Sequence, residues 1–184
     1  MGIIIITLIA ITAVIVLWFI SIYNSLINLR NRSDESWSDI DVQLKRRHDL
    51  VPNLVETVKG YAAHERGTFE EVTKARSQAM GATTPQQRGQ TENMLTSALK
   101  SLFAVSERYP ELKANQNFLD LQSSLREIED KIQLSRRYYN AVVRDLNNKI
   151  QMFPSNLVAR MYAFELKEFF EIEEGAREVP EVKF

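Results

Sequence analysis

The chain contains no cysteine. Disulfides, iron–sulfur clusters, thiolate metal sites and cysteine nucleophiles are therefore excluded, and the redox compartment stays open. Histidine is nearly absent too, with only His48 and His64. His64-Glu65 begins like the zinc signature H-E-x-x-H, but Thr68 stands where the second histidine is required. The six glycines form neither a phosphate-cradling loop nor a dinucleotide fingerprint. No G-x-S-x-G nucleophile turn occurs either. Neither sign of charge is in excess, since 23 Lys and Arg stand against 24 Asp and Glu. A nucleic-acid binder would carry a basic stripe, so nucleic acid is not an expected partner. The carboxylate pairs Glu70-Glu71 and Glu173-Glu174 are adjacent in sequence, which on a helix sends them to different faces. Neither a metal, a cofactor nor a catalytic set is expected, and the chain does not read as an enzyme.

Charge is also missing from one end. The first charged side chain is Arg30, and residues 2 to 23 read GIIIITLIAITAVIVLWFISIY. An apolar run of about 20 residues matches a hydrocarbon core of roughly 30 Å. A cleaved signal peptide would need a basic segment ahead of a shorter apolar core. The run therefore predicts an uncleaved transmembrane anchor over 1–23, with Trp18 and Tyr23 near its interfacial end. Arg30 and Arg32 follow it, and the excess of basic residues on that side predicts a cytoplasmic location for the rest of the chain.

The remainder reads as helix. Trp37, Ile40, Leu44, Val51, Leu54, Val58 and Tyr61 recur at spacings of three and four, the seam of a packed helix. Gly67 and Gly81 punctuate, with a shorter helix between them, and Thr84-Pro85 is a helix start. The next helix runs to about Tyr109. Phe118, Leu121, Leu125, Ile128, Ile132, Tyr139, Val142, Leu146 and Ile150 then form one long seam. Long helices with one apolar stripe need partners, and short connections make neighbours antiparallel. The expected fold is all-α: one N-terminal transmembrane helix, then an antiparallel up-and-down four-helix bundle over 24–152. An aromatic segment and acidic tail over 153–184 complete the chain. With four helices after the anchor, residues 153 to 164 would return to the bilayer surface.

The first seam contains an anomaly. Lys45-Arg46-Arg47-His48-Asp49 is followed by Pro52, and Arg47 falls where an apolar residue is due. A buried Arg is tolerated only with a partner and full hydrogen bonding. Asp41 or a carboxylate from another helix could supply it. Pro52 frees the carbonyl of His48 and predicts a kink, with an Arg or His donor needed there. Asp41, Arg46, Arg47, His48, Asp49 and Pro52 thus form a candidate polar plug. A register-fixing layer, a docking or ligand site, and a catalytic site are all open readings of it. Further along, Phe153, Tyr162, Phe164, Phe169, Phe170 and the terminal Phe184 form a candidate interface. They could cap the core, meet the membrane or join subunits. The stretch from Glu165 onward has seven Glu against two Lys and one Arg, a poor match for an anionic bilayer. The ending VPEVKF could dock as an extended strand.

The stretch "LRNRSDESWSDIDVQLKRRHDLVPNLVETVKGYAAHERGTFEEVTKAR" resembles the hallmark of the LemA family. So do "ELKANQNFLDLQSSLREIEDKI", "RRYYNAVVRDLNNKIQMFP" and "EVPEVKF", which extends the resemblance over nearly the whole chain. The resemblance implies a short external N-terminus, one membrane helix and a four-helix cytoplasmic bundle at the bacterial inner membrane. One departure is visible. Where the family often has a Phe-Gly-Phe-like turn, this chain reads Met161-Tyr162-Ala163-Phe164, so a glycine-dependent turn is not implied here. The family implies no enzymatic activity. It includes a protein needed to form magnetosome membranes and others associated with an HtpX-like membrane zinc metalloprotease. Two roles follow: a self-associating scaffold that organises or remodels the bilayer, and an adaptor or regulator of such a protease or of envelope-stress signalling. The expected partners are the bilayer, further copies of the chain and, for the adaptor, the metalloprotease.

Overall fold

The computed structural model describes residues 1 to 171. Those residues are helical with no strand: α1 Gly2–Lys59, α2 Arg66–Gly81, α3 Pro85–Ser106, α4 Pro110–Lys113, α5 Gln116–Gln151 and α6 Ser155–Met161. Helix α1 continues through residue 23, where the apolar run ends, without interruption. It is the one described helix long and apolar enough to cross a membrane, and its apolar window is wholly unburied within the chain. The chain divides into two compact units, and α1 and α5 contribute residues to both.

The first unit comprises Met1–Asp39 and Arg137–Glu168. Leu26, Leu146, Val158 and Ala159 form its buried core, with Phe19, Ile22, Tyr23, Leu29, Ile150 and Phe164 packed on it. Helix α6 ends in a Schellman turn. The Phe164 N–H donates to the Ala159 carbonyl at 2.9 Å and the Ala163 N–H donates to Arg160 at 3.2 Å. Ala163 accordingly takes φ 51°, the left-handed conformation that favours glycine. The glycine-dependent geometry is therefore present although the glycine is not, because the two hydrogen bonds and the Phe164 contact hold the alanine there. Relief of the Cβ clash predicts that Ala163→Gly raises stability by up to about 1 kcal/mol. An unchanged or lowered thermal midpoint would contradict this.

Trp37 and Tyr139 pack with ring centroids 5.2 Å apart. Tyr139 is buried, and its hydroxyl donates to the Glu168 carbonyl at 2.9 Å. Burial, then the charges of Asp34 and Glu168, push its phenol up to about 12. The folded state thus keeps the proton that the unfolded chain releases near pH 10. The stability tied to it is complete below that pH and is lost as pH rises through the folded value. Tyr139→Phe should cost about 1 kcal/mol at neutral pH through the lost hydrogen bond. It should also lose less stability than the parent between neutral and alkaline urea titrations, and parallel losses would refute the assignment.

The second unit comprises Ile40–Arg136 and the described residues from Phe169 onward. Four helical segments share one core: Val51, Leu54 and Val58 from α1; Phe69, Val72 and Ala75 from α2; Leu95, Leu99 and Leu102 from α3; Phe118 and Leu125 from α5. Helix α3 starts as its sequence predicts, with the Thr84 side chain accepting from the Gln87 N–H and Pro85 in the first turn. Gly67 and Gly81 do not bound α2 from outside; both lie within its end turns, exposed, where a missing side chain costs little packing. Gly89 is different. A Cβ there would overlap the carbonyl oxygen of Glu171, so glycine lets the extended C-terminal segment lie against α3. Phe170, beside that contact, is completely buried.

Candidate functional site

Helical spacing from Ile40 and Leu44 to Val51, Leu54 and Val58 puts position 47 on the inward face of α1, and all five neighbours are buried. Arg47 is 1% exposed. An isolated charge at such a position would be prohibitive, so its partners decide whether the unit folds. Arg47 Nη1 donates to Glu92 Oε2 at 2.9 Å, and Nη2 donates to Thr96 Oγ1 at 2.7 Å. The same Nη2 lies 2.7 Å from Glu129 Oε1. His48 Nε2 meets the other Glu92 oxygen, Oε1, at 2.7 Å. An ionised carboxylate only accepts, so here the imidazole N–H donates. Glu92 is itself 1% exposed. One buried carboxylate from α3 is thereby bound on both oxygens by consecutive residues of α1.

The proline has a local consequence. Pro52 has no N–H, so the His48 carbonyl four residues earlier lacks its helical donor. Arg76 Nε of α2 donates to that carbonyl at 2.7 Å. Helix α1 remains helical across Pro52, whose own ring is exposed.

Asp41 is exposed and pairs with Arg88 rather than with Arg47. Arg46 and Asp49 are exposed as well. The buried cluster thus draws only Arg47 and His48 from the knot, and its remaining members come from other helices. Glu92, Thr96, Glu129 and Arg76 were not singled out by the sequence. A signal for Glu92 existed: it stands three residues before Leu95 and seven before Leu99, at an apolar position of the α3 seam.

Burial pushes the Glu129 carboxyl above its ordinary value, against the pull of the Arg47 guanidinium and with help from the charges of Glu92 and Asp130. Folding therefore shifts Glu129 toward its protonated form relative to the unfolded chain. The stability tied to that proton is present below the unfolded value and is lost as pH rises through the folded one. Glu129→Gln keeps an acceptor for Arg47 and removes the desolvated charge, so the change at neutral pH should stay within about 1 kcal/mol. Relative to the parent, the variant should gain stability between mildly acidic and neutral pH in paired denaturation curves. A constant difference would show that Glu129 does not titrate with folding.

Beside the cluster, still within the second unit, lies a groove of about 500 Å³. Leu99, Phe103 and Leu125 supply its apolar wall, and Lys100 and Arg126 its cations. Among the described residues, no group of three or more His, Asp or Glu is placed to hold a metal ion. The cluster's charges are bound to one another, and its one hydroxyl, that of Thr96, accepts from Arg47 and donates to the Glu92 carbonyl.

A family model described as the LemA family matches residues 36–184. The chain belongs to the LemA family. The matched span contains the whole charged cluster and begins after the apolar run. Among its relatives, "Magnetosome protein MamQ 2" of Paramagnetospirillum magneticum is 26% identical over 86% of this LemA-family chain and 67% of its own length. "Protein LemA" of Metamycoplasma hominis is 28% identical over 74% of this chain and 63% of its own. "Magnetosome protein MamQ" of Magnetospirillum gryphiswaldense is 23% identical over 80% and 64%. The chain thus spans about two thirds of the length of these relatives, and none of their names is that of an enzyme.

The aromatic candidates of this LemA-family chain separate. Phe153 and Tyr162 are exposed, and Tyr162 packs on Tyr23 and Phe19. Phe164 is half-buried against Tyr23, beneath the Arg30 guanidinium. Phe169 is partly exposed, whereas Phe170 is sealed in the second unit and is a core residue rather than part of an exposed interface. Phe184 and the VPEVKF ending lie outside the described residues.

Proposed function

We propose that this LemA-family protein is a non-enzymatic, membrane-anchored scaffold that self-associates and organises or remodels its bilayer. The observation that carries this reading is α1: its apolar run has no buried residue in the window that could span a membrane, and the same helix continues into the charged, packed part of the chain. A membrane-organising scaffold needs an anchor that is continuous with its packed part, and one helix supplies both here. We read the four segments that share the second unit's core as an up-and-down antiparallel bundle. The Arg30 and Arg32 flank favours an external N-terminus and a cytoplasmic bundle in a bacterial inner membrane. Relatives named as magnetosome proteins fit a role in building a cellular structure rather than in turnover of a substrate.

The groove beside Arg47 favours a second reading, an adaptor that docks a client or an HtpX-like membrane protease. Its apolar wall and cationic rim suit an amphipathic acidic peptide. Native mass separates the two. The protein is extracted from its own membranes in mild detergent, and light scattering is combined with mass spectrometry of the peak. A uniform particle of many copies supports the scaffold; a small particle carrying another membrane protein supports the adaptor and defeats the scaffold.

A further inference from the structure

Helix α6 and the turn before it leave an apolar face uncovered. Phe153 and Met161 are 78% and 70% exposed, and Leu157, midway between them, is exposed too. Leu157 and Met161, four residues apart, lie on one side of α6, and Phe153 is exposed in the turn that leads into it. The other side, Ser155, Val158 and Ala159, is buried, with Val158 and Ala159 packed against Leu26 and Leu146. From residue 150 to 164 the only charged side chain is Arg160. Apolar surface left in water forgoes about 25 cal/mol for each Å², so a face of this kind calls for an occupant.

Its position within the first unit indicates which one. The ring of Tyr162 lies 4.6 Å from that of Tyr23 and 6.1 Å from that of Phe19, centroid to centroid. Phe19 and Tyr23 stand at the end of the apolar run of α1. A helix rises about 1.5 Å per residue, so about 20 residues of that run cross a hydrocarbon core of roughly 30 Å. When the run spans the membrane, α6 comes level with the boundary between acyl chains and headgroups. Tyr23 and Tyr162 are the side chains such a boundary selects. Arg30, over the Phe164 ring at 5.6 Å, and exposed Arg160 are placed to meet phosphates there.

We propose that the α6 segment is an interfacial membrane element: Phe153, Leu157 and Met161 insert among lipid acyl chains, and Arg160 and Arg30 contact anionic headgroups. The acidic stretch that opposes such contact starts only at Glu165. A wedge fixed to the anchor displaces lipid in one leaflet, which is how the scaffold would act on the bilayer. The inference rests on the membrane-anchored reading and is independent of self-association.

The absence of cysteine allows a direct test on the full chain. Phe153→Cys, Leu157→Cys and Met161→Cys are each spin-labelled and reconstituted in vesicles of phosphatidylcholine and phosphatidylglycerol. Ile9→Cys marks the span and exposed Ser77→Cys marks water. Collisions with oxygen, which concentrates in lipid, are compared with those of a water-soluble nickel chelate. The expected result is an oxygen-to-nickel ratio several-fold above that at Ser77 for all three positions. A ratio equal to that at Ser77 overturns the proposal. So does exclusion of both reagents with spectral broadening that vanishes on dilution by unlabelled chain, because a second copy then covers the face. Nickel access at Ile9 would overturn the anchored reading itself, and the proposal with it.

Discussion

Arg47→Ala lowers the opening free energy of the second unit by roughly 3 to 5 kcal/mol. The loss comes less from the missing attraction than from what remains. Glu92 keeps its place in the core with one oxygen on His48 and the other without a donor. Glu129 keeps 35% of its side chain exposed and can turn to water, so it adds less to the loss than Glu92 does. The natural readout is hydrogen exchange of the α3 amides in the full chain, because that helix carries Glu92 and Thr96. A double change, Arg47→Met with Glu92→Leu, should recover most of the loss, since replacing both charges by apolar groups of similar volume is near neutral. Unchanged exchange in Arg47→Ala would mean that the cluster is a surface feature and would favour docking over packing. Poor recovery by the double change would assign the cluster a role in specifying one arrangement of the helices.

Phe170→Ala is the second large effect, on the order of 3 to 5 kcal/mol. The residue is completely buried, yet it sits on a segment with no helix or strand of its own. Its side chain therefore helps to hold that segment against the second unit, together with the close approach of Glu171 to Gly89. Removal should release the segment, seen as faster exchange and new protease cleavage around residues 169 to 171. Phe169→Ala, at a partly exposed position, should change either readout much less. Equal effects from the two would show that the segment is held by its backbone.

Much of this was legible before any packing was considered. The inward seam of α1 follows from spacing alone, and so does the conflict of an Arg at position 47, because a helix's periodicity is local. The proline likewise announces a carbonyl in need of a donor. Other features depend on neighbours distant in the chain. In α3 the adjacent apolar residues Met94 and Leu95 compete for the inward face, and Met94 is exposed whereas Glu92 is buried. Adjacent apolar pairs leave the facing direction ambiguous by part of a turn, and a partner helix resolves it. The left-handed turn at Ala163 is not implied by the residue itself, because hydrogen bonds to Ala159 and Arg160 impose its conformation.

By itself the sequence determined the all-helical class, the apolar run, the absence of metal-binding and nucleophilic motifs, and membership of a family. Each depends on composition, local period or motif. Which carboxylate meets Arg47, which arginine answers Pro52, why position 89 must be glycine, and where α6 meets the end of the apolar run were decided only by the tertiary structure. Those partners lie between 28 and 143 residues apart in the chain (His48 and Arg76; Phe19 and Tyr162). No local period or propensity reaches that far, and only the packing of complementary faces brings such residues together.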